Sequence, residues 1–171
     1  MEGGLVCNRP LLAVLGAAVA LAGVGCGGSG SSSSTSTTST TKSSASGAVQ
    51  ISSRTLPGLG AVLVNGQGRT LYIFVPDQAK KVTCTGGCAS IWPPVLLSGA
   101  AKPIASGAVK LSLLGSDPNP AGGRVLTYGG WPLYTYVADP TSGTASGEGV
   151  SSSGGLWYVI APSGTAIKHK S

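Results

Sequence analysis

The chain is poor in the residues that carry acid–base and nucleophilic chemistry. Its single histidine, His169, stands two places from the end. Of its five acids, only Asp77, Asp117, Asp139 and Glu148 fall in the part able to fold. A Ser-His-Asp or Cys-His site inside the domain is thereby excluded, however many serines there are. Charged residues make up 9% of the chain, and no helix carries clustered arginine or lysine. Nucleic acid is therefore not an expected partner. None of the glycine-rich stretches has the strand-to-helix setting of a phosphate loop. The uncharged run at residues 10–25 is too short and too small-sided for a span of about 20 residues.

What is plentiful points to short strands and tight turns. With 28 glycines and 11 prolines in 171 residues, a helix bundle is disfavoured, and the length allows one domain with appendages. The net charge of +6 is thinly spread over residues such as Arg54, Arg69, Lys80, Lys81, Lys102, Lys110, Arg124, Lys168 and Lys170. Such a surface serves solubility, or a salt-screened attraction to anionic envelope components.

The start of the chain reads as an address. Arg9 precedes the apolar run, which suits an export signal over residues 1–25. The run ends in G-V-G before Cys26, which resembles the bacterial lipobox, although Gly23 stands where leucine is commonest. That resemblance implies a lipid on Cys26 and an extracytoplasmic domain anchored to the bacterial cell membrane. A plain secretory signal or an uncleaved anchor is the alternative, and Cys7 needs no role. Residues 26–51 carry the lipidated cysteine and a Ser/Thr/Gly linker with nothing to bury, expected to be a disordered tether. The expected domain covers residues 52–165, with repeats at about 57–97 and 120–162, and residues 166–171 form a frayed tail.

Two near-copies organise the domain: L-Y-I-F-V-P-D at residues 71–77 and L-Y-T-Y-V-A-D at 133–139. Each is followed by a tryptophan, Trp92 and Trp157. Residues 61–64 and 69–75 read as a hairpin around the turn N-G-Q-G. Alternation puts Leu71, Ile73 and Val75 on one face and Tyr72 and Phe74 on the other, so this strand is expected to be covered on both sides. Residues 108–113 alternate as a strand with Val109, Leu111 and Leu113 inward. Residues 116–123 read as a loop, and Gly129-Gly130 suits a two-residue hairpin turn before the return strand 131–137. Pro132 places an edge or bulge there. A repeat this short cannot bury its own apolar face, so the expected fold is a single all-β domain of two pseudo-symmetric hairpin repeats.

These residues resemble the bacterial lipoproteins with a repeated Yx(FWY)xxD motif, the secreted repeats of unknown function. The motif is met at residues 72–77 and 134–139. G-R-T-L-Y, C-T-G-G-C-A, W-P-P and T-Y-G-G-W-P-L-Y surround it, and A-G-G-R at 121–124 departs from the usual more polar approach. The resemblance covers the whole folded part. It implies an envelope lipoprotein with a duplicated β domain, and no assigned activity.

Four groups of residues compete for a role. Asp77 and Asp139 are candidate paired acids, but each stands at a strand end where a carboxylate caps a turn. Glu148, between glycines, reads as solvated. Cys84 and Cys88 lack the C-x-x-C spacing, have no helix start behind them, and have no further ligands for zinc. In an oxidising compartment they form a disulfide worth about 2 kcal/mol for so small a loop. A redox switch favoured by Lys80 and Lys81 is the alternative. Tyr72, Phe74, Tyr134 and Tyr136 are expected to form a ring-rich layer. It serves as core, or as a stacking platform for a sugar, glycan strand, haem or quinone. The expected protein is a non-enzymatic binding module without metal or cofactor, whose partner is an envelope protein or an anionic polymer. A small-molecule or redox-cofactor binder is the second reading, and a hydrolase a distant third.

Overall fold

The computed structural model describes residues 48–77 and 81–168. The export signal, Cys26, the tether up to residue 47, Lys80 and His169 lie outside the described residues.

Two antiparallel hairpins frame the domain. The first pairs β1 (Gln50–Leu56) with β2 (Gly60–Asn65). In the same way β6 (Leu114–Pro118) pairs with β7 (Arg124–Tyr128). Each hairpin then turns sharply. Asn65 closes the first turn: its backbone oxygen accepts from Gly68 N–H, and its side-chain Oδ1 accepts from the N–H groups of Gln67 and Arg69. Gly129 and Gly130 close the second at φ 58 and 85, which links β7 to β8 (Trp131–Pro132).

Beyond these turns the repeats exchange partners. β3 (Tyr72–Phe74) pairs with β10 (Gly155–Val159), the tryptophan strand of the second repeat, with Trp157 opposite Phe74. Reciprocally, residues 133–137 run beside residues 91–95 of the first repeat. Val95 N–H donates to Leu133 O, Thr135 N–H to Pro93 O and Val137 N–H to Ile91 O. Between the two, Tyr72 and Tyr134 exchange backbone N–H···O bonds of 2.9 and 3.0 Å. The hairpins repeat the pattern, since Leu63 N–H donates to Ile160 O and Leu126 N–H to Val95 O. A pseudo-twofold axis therefore passes between the two tyrosines, and each repeat holds the other's tryptophan strand.

The alternation of each tyrosine strand sorts its side chains into two cores. Leu71, Ile73 and Leu133 join Ile51, Leu63, Leu126 and Ile160 in an aliphatic core. On the opposite side Tyr72, Phe74 and Tyr134 join Val62, Val64, Trp92 and Trp157. Short strands finish the edges: β4 (Leu96–Leu97) on β7, β5 (Ile104–Ala105) parallel to β1, and β9 (Ser151–Ser152) on β10.

Several local expectations are corrected. The domain opens at Gln50, within the expected linker, because Ile51 is a fully buried core residue. At the other end Ala166 bridges Ile160 and Ile167 N–H donates to Val159 O, so these two residues of the expected tail are held on β10. Leu111–Leu113 is a 3-10 turn rather than strand. Leu113 N–H bonds back to Lys110 O, and Leu111 is 67% exposed. Residues 116–118 are strand, and the true loop is the turn from Asn119 to Gly123. Pro118 is tolerated there at the strand's end. Val75 lies just past β3 and is exposed instead of sharing the aliphatic core.

Candidate functional site

Where the repeats meet, the Yx(FWY)xxD motifs interlock. Tyr72 donates its hydroxyl hydrogen bond to Asp139 Oδ2, and Tyr134 donates to Asp77 Oδ2. Each tyrosine thus engages the aspartate of the other motif. The other carboxylate oxygens hold the loops that follow the motifs. Asp77 Oδ1 accepts from Thr83 N–H at 2.7 Å and from the Thr83 hydroxyl, and Asp139 Oδ1 accepts from Ser146 N–H at 3.0 Å. Turn capping is therefore half of what each aspartate does; the other half joins the repeats. The loops answer in kind. Gly147 N–H donates to the Tyr72 hydroxyl at 3.2 Å, and the backbone of Cys84 faces the Tyr134 hydroxyl.

All four of these side chains are fully buried. Burial, then the hydrogen-bonded carboxylate, pushes the phenols of Tyr72 and Tyr134 well above the ordinary tyrosine range. The sign of the resulting pH dependence is definite. Below the unfolded pKa of about 10 both states keep these protons, and stability is level. Above it the unfolded chain releases protons that the native domain retains, so stability falls as pH rises. Urea midpoints are expected to be level to about pH 9 and to drop above about pH 10. The phenolate absorbance of these two tyrosines should rise only with unfolding. Both ionising near pH 10 in the folded domain would contradict the buried pairing.

Beside the clasp lies a stack of four rings. Phe74 stacks on Trp157 at 4.3 Å, Trp157 on Trp92 at 3.9 Å, and Trp92 on Tyr136 at 4.0 Å. Tyr72 meets Trp92 edge-on at 5.4 Å, and Tyr134 meets Trp157 edge-on at 5.2 Å. The ring-rich layer is present, but both tryptophans, fully buried, stand between its two halves. The faces on which a sugar or haem would stack at Tyr72, Phe74 and Tyr134 are filled by protein. Tyr136 alone of the four is half-buried. The close approach needs Gly147: a Cβ there would lie 2.8 Å from the Trp92 ring and 2.9 Å from Tyr72.

The two halves are not identical. Trp157 Nε1 donates to Ser152 O at 3.2 Å, whereas Trp92 Nε1 is buried with no acceptor among the described residues. Val159 N–H donates to Glu148 Oε2 at 2.7 Å. Its counterpart in the first repeat is Pro94, two residues after Trp92 as Val159 is two after Trp157, and proline has no N–H to satisfy. Glu148 is thus a structural acceptor and not the solvated acid expected from its glycine neighbours. Composition alone could not show this, since the demand arises from Val159 across the fold.

Cys84 and Cys88 form a disulfide with Cα atoms 5.2 Å apart. A short helix, α1 (Gly87–Ile91), begins at this bridge, contrary to the absence of a helix start read from the sequence. Gly86 at φ 56 makes the tight entry, and Trp92 N–H closes the end onto Cys88 O. The bridge therefore ties the backbone facing the Tyr134 hydroxyl to the helix that leads into Trp92.

A missed contributor is Arg69, whose Nε and Nη2 donate to the carbonyls of Asp139 and Tyr136 at 3.1 and 2.7 Å. It ties the first repeat to the turn that ends the second motif. Its place in G-R-T-L-Y marked it only as a surface cation.

Fold and clasp together define a class: a duplicated all-β domain whose two Tyr-Asp motifs close on each other. The chain belongs to the family of secreted repeats of unknown function, whose pattern matches residues 53–96 and 118–161. Neither the curated proteins nor the solved structures hold a match to it. A secreted family works outside the cytoplasm, where a disulfide such as Cys84–Cys88 persists. Among the described residues no helix is long and apolar enough to cross a membrane.

Proposed function

We propose that the protein is a non-enzymatic envelope module, held at the membrane by a lipid on Cys26, that binds an anionic envelope polymer. The observation that carries this reading is the segregation of charge. Asp77, Asp117 and Asp139 are buried and Glu148 is half-buried, turned to the backbone of Val159. Arg54, Lys81, Lys102, Lys110, Arg124 and Lys168 are all exposed. A modest net charge thus becomes, at the surface, a nearly one-signed positive field. The interlocked carboxylates also have structural partners, which favours a binding role over hydrolysis.

The test is binding of the full chain in detergent micelles to a polyol-phosphate polymer and to neutral dextran. Binding to the polyanion is expected to weaken at least about tenfold as salt rises from about 0.05 to about 0.5 M, because screening shortens to a few ångströms. Dextran should not bind. Equal retention of both polymers, or none at low salt, would sink the proposal. Cys26→Ala should release the chain from the membrane fraction, which tests the anchor separately.

A further inference from the structure

We infer that the polymer is recognised at one place, a groove beside Arg54 that takes a phosphodiester flanked by polyol hydroxyls. This rests on the polyanion reading above and gives it a seat. The groove, about 300 Å³, lies between β1 and the turn that follows β2. Gln50, Ser52 and Arg54 are alternate residues of β1 and so share one face; Val64 stands across from Ser52, and Asn65 and Gln67 at the following turn complete the lining. No carboxylate lines it, and Val64 is its one large apolar residue.

Arg54 is exposed. Its guanidinium lies between two loops: a Cβ built on Gly68 would stand 2.5 Å from Ser142 Oγ and 3.5 Å from Arg54 Nη2, and one built on Gly143 would stand 3.7 Å from Nη1. Asn65 Oδ1 is committed to Gln67 and Arg69 N–H groups, which leaves its Nδ2 as a donor. A guanidinium fork with side-chain donors around it suits a tetrahedral oxyanion, and the neighbouring amides and Ser52 suit hydroxyls.

The pseudo-symmetry makes the site specific to the first repeat. Arg54 pairs with Val62 in the first hairpin, and Asp117 pairs with the corresponding Val125 in the second. One position is an exposed cation, the other a buried acid. The hairpins share a scaffold and differ in charge where the groove opens.

The test uses the full chain in detergent and a fluorescent oligo(glycerol phosphate). Arg54→Gln is expected to weaken binding about tenfold, and Arg54→Lys to recover only part of that loss, because the fork is gone. Lys102→Gln, with the same change in net charge on another segment, should cost less than about threefold. Equal losses for Arg54→Gln and Lys102→Gln would overturn the groove while leaving diffuse polyanion binding intact. No binding by the unaltered chain would sink both readings. Equal affinity for oligoglutamate would overturn the phosphodiester assignment. Arg54-dependent binding to phosphatidylglycerol vesicles without binding to the oligomer would overturn the polymer as its source.

Discussion

Trp157→Ala is expected to weaken the domain by about 3–5 kcal/mol, enough to unfold it under mild conditions. Trp157 is fully buried, stacked between Phe74 and Trp92 and met edge-on by Tyr134. Alanine would leave a cavity at the axis, where the surrounding strands belong to both repeats and cannot collapse without breaking the exchange. It would also leave Ser152 O without its indole donor. Trp92→Ala should cost less, even though the ring is equally buried. Its Nε1 already lacks an acceptor, so its removal also relieves a buried unpaired donor, an offset of about 1–3 kcal/mol. Chemical denaturation, with near-ultraviolet circular dichroism of the stacked indoles, measures both. A loss below about 1 kcal/mol for Trp157→Ala, or a larger loss at Trp92, would contradict this account.

The second large effect is a coupling between residues 67 positions apart. Tyr72→Phe is expected to destabilise by about 2–3 kcal/mol, since Gly147 N–H loses its acceptor and Asp139 Oδ2 its donor in a buried place. In a double-mutant cycle with Asp139→Ala the interaction term should reach about 1–3 kcal/mol. The same cycle with Asp77→Ala, the aspartate of Tyr72's own motif, should give under about 0.5 kcal/mol. Tyr134 should show the mirror result, coupled to Asp77 and indifferent to Asp139. Stronger coupling within a motif than between motifs would refute the exchange of strands.

Much of the fold was legible because local chemistry wrote it. The glycine pair 129–130 and the turn at Asn65 were readable from φ requirements and hydrogen-bonding side chains. The two faces of residues 71–74 followed from period-two alternation. Other parts were hidden because their cause is not local. β1 carries the exposed or half-buried Ser52, Ser53, Arg54 and Thr55 in its middle, so it gives a weak apolar signal, and its place is set by pairing with β2. Residues 111–113 alternate as a strand would, yet a strand needs a neighbour for its backbone and the 3-10 turn supplies its own bond. Glu148 has no local reason to be an acceptor until β10 is in place. The disulfide was expected from compartment and spacing, while the helix that starts on it was not.

The candidate site shows the same division. Tyr72, Asp77, Tyr134 and Asp139 stood out as a repeated pattern, and their types announced buried rings and capped turns. Nothing in a one-dimensional pattern says which tyrosine meets which aspartate, because both motifs offer the same groups at the same spacing.

By itself the sequence determined a duplicated all-β domain, the two faces of its aromatic strands and a small disulfide loop, since propensity, alternation and turn chemistry act over a few residues. Only the tertiary structure decided that the repeats exchange their tryptophan strands and that each tyrosine closes on the other motif's carboxylate. It also decided that the acids turn inward while the cations stay out. Those choices depend on which surfaces can be buried together, and burial is a property of the packed whole.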